Sequence, residues 1–219
     1  MRAICKPTMA LLLAPLVLGG CKMIGAILIM TAPPQIAKPE YELDEGRLAI
    51  VIDMARAAQS NPVFDLALHE RIVTQFRDNK VPTRVIPFED VVQLKQSQPE
   101  YRNWSVQRIG RDLDADRVLY LRIDQLRARS DPGDPIIQLS VELRAKLIGV
   151  SEPPMHARLW PNRDKEMDGR IITHSRPPKE ADSLDIIDAE TVKLGHETAY
   201  YVARCFHEYD EETNPPREP

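Results

Sequence analysis

From Arg117 to Gly149 the chain reads RVLYLRIDQLRARSDPGDPIIQLSVELRAKLIG, and the period of this stretch decides the fold. Between Ile137 and Leu147 the residues alternate strictly. Ile137, Leu139, Val141, Leu143, Ala145 and Leu147 fall on one side, and Gln138, Ser140, Glu142, Arg144 and Lys146 on the other. A period of two belongs to a β-strand with one buried face. Arg117 to Arg129 reads the same way, with Leu119, Leu121 and Ile123 on one face, and Asp131-Pro132-Gly133-Asp134-Pro135 supplies a turn between the two. The pair predicts a long antiparallel hairpin. At about 3.3 Å per residue each arm reaches roughly 40 Å, enough to form the centre of a sheet whose apolar face is covered by helices.

Upstream, Leu48 to Ile52 is an aliphatic run bounded by Gly46 and Asp53 and predicts a buried first strand. Asn61-Pro62 offers an N-cap followed by proline at the first helical position. Phe64, Leu68, Ile72 and Phe76 then recur every four residues, and Ala67 and Val73 widen the stripe of a helix that ends near Asn79. Arg84 to Ile86 predicts a second strand, cut off by Pro87. Val91, Val92 and Leu94 make a short helical segment, and Ser105 caps another that carries Val106, Ile109 and Leu113.

Downstream, Met155 to Trp160 and Arg170 to His174 are weaker strands joined by the charged loop Pro161 to Gly169. Asp188 begins a long amphipathic helix with Val192, Gly195, Ala199, Val202, Ala203 and Phe206 on one face, where the small Gly195 and Ala199 permit close packing on the sheet. The fold class is therefore α/β (α+β): a central mixed sheet with a long antiparallel hairpin, flanked by helices that include a long C-terminal one.

The N-terminal end has a different character. Arg2 and Lys6 precede an apolar run from Met9 to Leu18, and Leu18-Gly19-Gly20-Cys21 follows directly. This resembles the lipobox of bacterial lipoprotein precursors, each of the four residues matching. The resemblance implies a signal peptide over 1–20, cleavage between Gly20 and Cys21, and a lipid anchor (diacylglycerol, with palmitate as the acyl type) on the Cys21 sulfur. Met23 to Met30 is again apolar, so an uncleaved span from Met9 to Met30 is the rival, at a cost of about 2.5 to 3.5 kcal/mol for Lys22 near mid-bilayer. Either way the rest of the chain is expected in the cell envelope, anchored to a membrane and facing the periplasm, the outer membrane being favoured over the inner. Thr31 to Gly46 contains Pro33, Pro34 and Pro39 and reads as a semi-extended tether. The expected organisation is signal peptide 1–20, anchor and tether 21–46, α/β domain 47–209 and an acidic, proline-bearing disordered tail 210–219.

The phrase Ile109-Gly110-Arg111-Asp112-Leu113-Asp114-Ala115-Asp116-Arg117-Val118-Leu119-Tyr120 is similar to the helix, turn and strand of a small α/β domain shared by bacterial envelope lipoproteins. These include the penicillin-binding-protein activators and the curli secretion lipoprotein, and the amino-terminal domain of the Tol translocation protein is of the same kind. Asp114 stands where that family carries glycine. The likeness runs in element order from Leu48 to Tyr209 and implies a binding or assembly role, because that domain type has no catalytic residues to carry over. The curli protein's pore-forming segments have no counterpart here.

Composition excludes several function classes. The 219 residues carry a formal charge of −4, from 29 basic and 33 acidic side chains; removing Arg2 and Lys6 leaves 27 against 33, or −6, which gives no electrostatic grip on nucleic acid. Of three cysteines only Cys205 remains as an unmodified thiol, expected to be buried and inert in a helical stripe, so no disulfide framework exists. The histidines at 69, 156, 174, 196 and 207 have no metal-ligand spacing. His196 and His207 share a helical face but stand roughly 16 Å apart along it, too far for one ion. No Gly-x-Ser-x-Gly, His-Glu-x-x-His or glycine-rich loop occurs. No cofactor or metal is expected.

Two sets of polar residues remain. Asp53, Glu89 and Asp90 follow the first two strands and would gather at the sheet edge where α/β folds bind ligands, but helix capping or plain solvation is the stronger reading of all three. Asp182, Asp185 and Asp188 suit the positive end of the last helix. The leading functional reading is a membrane-anchored envelope lipoprotein that acts as a protein-interaction or assembly module, its partner an envelope protein. Tyr101, Arg102, Trp104, Trp160 and Arg163 are its candidate contacts, with core packing as the alternative for Trp104 and Trp160. Two other readings stand beside it. One is a periplasmic enzyme acting on cell-wall substrates through carboxylates such as Asp53 and Glu89. The other is a subunit of an oligomeric secretion complex, a homo-oligomer, whose only long hairpin carries Glu142, Arg144 and Lys146 outward at a cost of a few kcal/mol per charge in lipid.

Overall fold

The computed structural model describes residues 36–55, 61–129, 136–162, 164–181 and 183–210. In chain order the elements are β1 (Ile36–Ala37), β2 (Gly46–Met54), α1 (Pro62–Asp78), β3 (Thr83–Val85), α2 (Phe88–Ser97), a 3-10 turn (Tyr101–Asn103), α3 (Val106–Asp112), β4 (Arg117–Arg129), β5 (Ile136–Gly149), β6 (Arg158–Trp160), β7 (Arg170–Ser175), β8 (Lys179–Glu180), α4 (Leu184–Ala203) and β9 (Tyr209–Asp210). The sheet order is β3-β2-β4-β5, and β6, β7 and β8 all pair with the outer edge of β5. β2 runs parallel to β3 and β4, while β4 and β5 are antiparallel, so the sheet is mixed as the sequence predicts.

The hairpin register explains why both alternating runs serve one core. Leu119 stands opposite Leu147, Leu121 opposite Ala145 and Ile123 opposite Leu143. Asp124 is then an extra residue in β4, and after this bulge Leu126 meets Val141. An uninterrupted period of two would turn Leu126 to the polar face; the bulge returns it to the apolar one, where it packs on the core. The turn residues 131–135 lie outside the described residues.

β2 is buried on both faces, as its unbroken aliphatic run requires. Leu48, Ile50 and Ile52 join the main core with Phe64, Leu68, Ile72 and Phe76 of α1 and Leu194, Ala199, Val202 and Ala203 of α4. Ala49 and Val51 join a smaller core on the other face with Val91 of α2, Ile109 of α3, Tyr101, Val118 and Val150. α1 starts where expected, because the Asn61 side chain accepts the N–H of Val63 and of Phe64 ahead of the Pro62 turn. Ser105 does the same for Arg108 at the start of α3.

Four expectations change. First, α4 begins at Leu184 rather than Asp188, so Asp185 lies in its first turn and Asp188 inside it, while Asp182 falls outside the described residues. Second, α4 ends at Ala203, so Cys205, Phe206 and His207 sit in the turn beyond it and not on its stripe. There Cys205 and Phe206 donate to the Val202 and Ala203 carbonyls three residues back, and the Cys205 carbonyl accepts the N–H groups of Glu40 and Tyr41 at 2.9 and 3.1 Å. Third, Gly195 packs on α1 and not on the sheet. Both helices cover the same sheet face, and a Cβ at Gly195 would lie 2.9 Å from the Ala67 Cβ and 3.2 Å from the Leu68 nitrogen. Fourth, the stretch read as a tether to Gly46 is docked from Ile36 onward. β1 pairs with β9, and Leu43 is buried in the main core. Residues 1–35, with Gly20, Cys21 and the Met9 to Met30 stretch, and residues 211–219 lie outside the described residues; among those described, no helix is long and apolar enough to cross a membrane.

Candidate functional site

The predicted carboxylates come from two elements, Asp53 from β2 and Glu89 and Asp90 from the first turn of α2. Asp53, near the end of β2, has its Oδ1 2.8 Å from Lys95 Nζ and accepts a hydrogen bond from Tyr120. Glu89 and Asp90 sit exposed in the first turn of α2, because that helix turns Lys95 rather than its opening acids toward β2. Lys95 also donates to the Ile52 carbonyl. β3 pairs only with Gly46 to Leu48, so this lysine serves a stretch of β2 edge that β3 does not reach.

Beside it on α1 stand two residues that no sequence motif marks. Burial pushes the Asp65 carboxyl up to about 6, against the pull of Lys95. Burial also holds His69 down to about 4, although Glu89 and a hydrogen bond to the Ile86 backbone favour its charged form. Their spacing of four on the flank of the apolar stripe is the one signal the sequence holds for them.

Of the predicted aromatic and arginine contacts, Tyr101 and Trp104 meet, their ring centroids 6.1 Å apart, whereas Trp160 belongs to the main core. Tyr101 and Trp160 are buried, 7% and 3% exposed. Trp104 is half-buried under the Arg108 guanidinium, 3.8 Å from its ring centroid, and Arg102 is exposed. Arg163 lies outside the described residues. His207 is buried beyond the end of α4 and shares no helical face with His196. Cys205 is buried, its thiol pushed up to about 12, mainly by burial, which leaves it a thiol near neutral pH.

A cavity of about 350 Å³ opens instead between β7 and the C-terminal end of α4. Its walls include four consecutive β7 residues from Ile171 to His174, Tyr201 and Arg204 at the end of α4, and one residue from each terminal segment, Glu40 and Tyr209. Most of its charges are occupied. Arg170 lies between Glu40 at 2.5 Å and Glu166 at 2.6 Å, and Trp160 Nε1 donates to the second Glu40 oxygen at 3.1 Å. His174 Nε2 is 2.7 Å from Glu197, its ring 5.1 Å from that of Tyr201.

Behind His174 an ion-pair ladder ties β7 and β8 to α4. Arg176 bridges Glu197 and Glu190, the latter at 3.0 Å, and Lys179 reaches Glu190 at 2.7 Å. Burial alone would raise the Glu190 carboxyl; hydrogen bonds from Lys179 and Arg176 outweigh it and hold the group at about 2. Arg204 differs from its neighbours. Its guanidinium stacks on Tyr201 and Tyr209, 4.7 and 5.3 Å from the ring centroids, and makes no ion pair among the described residues.

No family model and no curated protein matches the chain. Among solved structures it is similar to the PelC dodecamer from Paraburkholderia phytofirmans, at 13% identity over 80% of this chain and 97% of that one, with a TM-score of 0.40. Lipoprotein GNA1162 from Neisseria meningitidis matches at 10% identity over 70% and 98%, TM-score 0.40. Uncharacterized lipoprotein B from Nitrosomonas europaea matches at 12% over 79% and 89%, TM-score 0.34.

Proposed function

We propose that this protein is a membrane-anchored interaction module of the bacterial cell envelope, a lipoprotein that holds a partner in the cavity between β7 and α4. The observation that carries this reading is the position of the cavity. Glu40 and Tyr209 line it, and they belong to the two terminal segments that pair as β1 and β9. The cavity therefore lies beside the point from which the chain runs back to Cys21. The fifteen residues from Cys21 to Ile36 span up to roughly 45 Å when extended at about 3.1 Å per residue. A partner held there stays within that reach of the bilayer. The carboxylate-enzyme reading has less support, since Asp53 is paired with Lys95 while Glu89 and Asp90 are exposed.

The test is site-specific photo-cross-linking in intact cells, with the probe placed at Tyr209 in the cavity wall and, as control, at the exposed Leu66 of α1. Adducts to an envelope protein from Tyr209 and not from Leu66 are expected. Adducts from neither position, or equally from both, would overturn the reading. Adducts to a second copy of the chain would replace it with a homo-oligomer.

A further inference from the structure

We propose that the cavity takes an extended peptide segment that adds as a strand to the outer edge of β7 and places an acidic side chain on Arg204. This rests on the interaction-module reading and names the class of partner.

The backbone of β7 offers one edge to β5 and the other to the cavity. Arg176 N–H donates to the Leu139 carbonyl, which makes these two residues a bonded pair in the β5–β7 ladder. Val141 with His174 and Leu143 with Ile172 follow two and four residues along the same register and are bonded pairs as well. Ile171 and Thr173 therefore turn their N–H and C=O groups away from β5. Among the described residues no strand pairs with that side. Every residue from Arg170 to His174 lines the cavity, which puts this edge of β7 at the wall that Tyr201, Arg204 and Tyr209 complete. An unpaired edge of this kind is what natural sheets usually block with proline, a bulge or an inward charge, and β7 has no proline and an unbroken register. Strand addition satisfies such groups and leaves specificity to the alternate side chains of the added segment.

The side-chain chemistry chooses the sign. Glu40, Arg170, Glu166 and His174 already have partners of opposite or complementary character. Arg204 alone offers a stacked, oriented guanidinium with no carboxylate among the described residues. A planar guanidinium held against two rings is set up to take a carboxylate through two N–H groups at once. A basic side chain at the same place would meet both Arg204 and Arg170.

The experiment uses the full lipidated chain in detergent micelles and a fluorescein-labelled, end-blocked peptide, Ser-Thr-Val-Glu-Val-Thr-Ser, followed by anisotropy. Saturable binding is expected. Replacing the peptide glutamate by glutamine should weaken it about ten- to a hundredfold, the range of a charge-assisted hydrogen bond. Arg204→Gln should weaken the glutamate peptide to the same degree and leave the glutamine peptide unchanged. Thr173→Pro removes an outward N–H without touching the ladder to β5 and should abolish binding of both peptides. Should that variant fold poorly, N-methylation of the peptide valines blocks the same bonds from the other side and should also abolish binding. Equal binding of the glutamate peptide and a lysine version, or binding unaffected by N-methylation, would overturn the proposal. Absence of binding by the wild-type chain overturns it too; cross-links from Tyr209 in cells would then still stand and leave the interaction-module reading intact.

Discussion

The indole of Trp160 meets the ring of Phe206 edge-on at 5.0 Å between centroids, and Phe206 meets Phe76 in the same way at 5.9 Å. Three aromatic rings thus join β6, the turn after α4 and the end of α1, and the Trp160 N–H is held by Glu40 of the N-terminal segment. Trp160→Ala should cost about 3 to 5 kcal/mol in urea unfolding, as expected for a buried large aromatic. A loss under about 1 kcal/mol would place this tryptophan outside the core.

Leu143 is fully buried opposite Ile123, whereas Glu142 next to it lies on the charged face beside the bulge. Leu143→Ala should lower stability by about 2 to 5 kcal/mol and Glu142→Ala by no more than about 0.5. The reverse ranking in thermal or urea unfolding would mean that the strand register is shifted by one residue.

Gly195 is the contact point of α1 and α4. An alanine there gains about 1 kcal/mol in helix propensity but drives its methyl against Ala67 and the α1 backbone, and overpacking of that kind costs about 1 to 3 kcal/mol. Gly195→Ala should therefore destabilise, and Ala67→Gly in the same chain should recover part of the loss. Additive effects in the double-mutant cycle would show that the two residues do not touch.

Glu190 carries the acid sensitivity of the α4 docking. Its folded pKa of about 2 lies below the ordinary value of 4.5. The stability it contributes is thus present above about 4.5 and lost as the pH falls through about 2. The size is on the order of 3 kcal/mol. Glu190→Gln should flatten the stability profile in that window. Asp65 and His69 act in opposite directions, since the raised Asp65 loses stability as the pH rises toward 6 and the lowered His69 loses it as the pH falls toward 4. Their slopes offset between those values.

Metabolic labelling with a fatty acid should mark the wild-type protein, and Cys21→Ala should abolish both the label and the membrane association. An unlabelled wild-type chain of full length would favour the uncleaved span from Met9 to Met30.

Features whose causes lie within a few residues of one another are legible in the sequence itself. The alternation from Ile137 to Leu147, the every-fourth stripe of α1 and the Asn61 and Ser105 caps each express a local rule, and each appears where that rule puts it. The phrase around Asp114 is a further case. Asp114 adopts φ +52° just past α3, a left-handed position that an aspartate tolerates.

The candidate site is not legible in this way, because its parts come from distant stretches of chain. Glu40, Thr173, Arg204 and Tyr209 share no spacing rule. The predicted contacts rest on residue type alone, and type does not say whether Trp160 faces solvent or Phe206. Likewise the sequence presents Pro33 to Pro39 as a spacer, since proline breaks regular structure; nothing local shows that Glu40 and Tyr41 donate to the Cys205 carbonyl. By itself, then, the sequence determined the central strands, the existence of the main helices, the mixed sheet and which face of the hairpin is apolar, since these follow from periods of 2 and 3.6 and from caps within a few residues. Only the tertiary structure decided that Glu40 and Tyr41 bond to the turn after α4, that Gly195 meets Ala67, that Asp53 is paired with Lys95, and that the free edge of β7 faces Arg204. Each of these depends on two segments brought together by the burial of a common core, and that pairing has no periodic trace in either one.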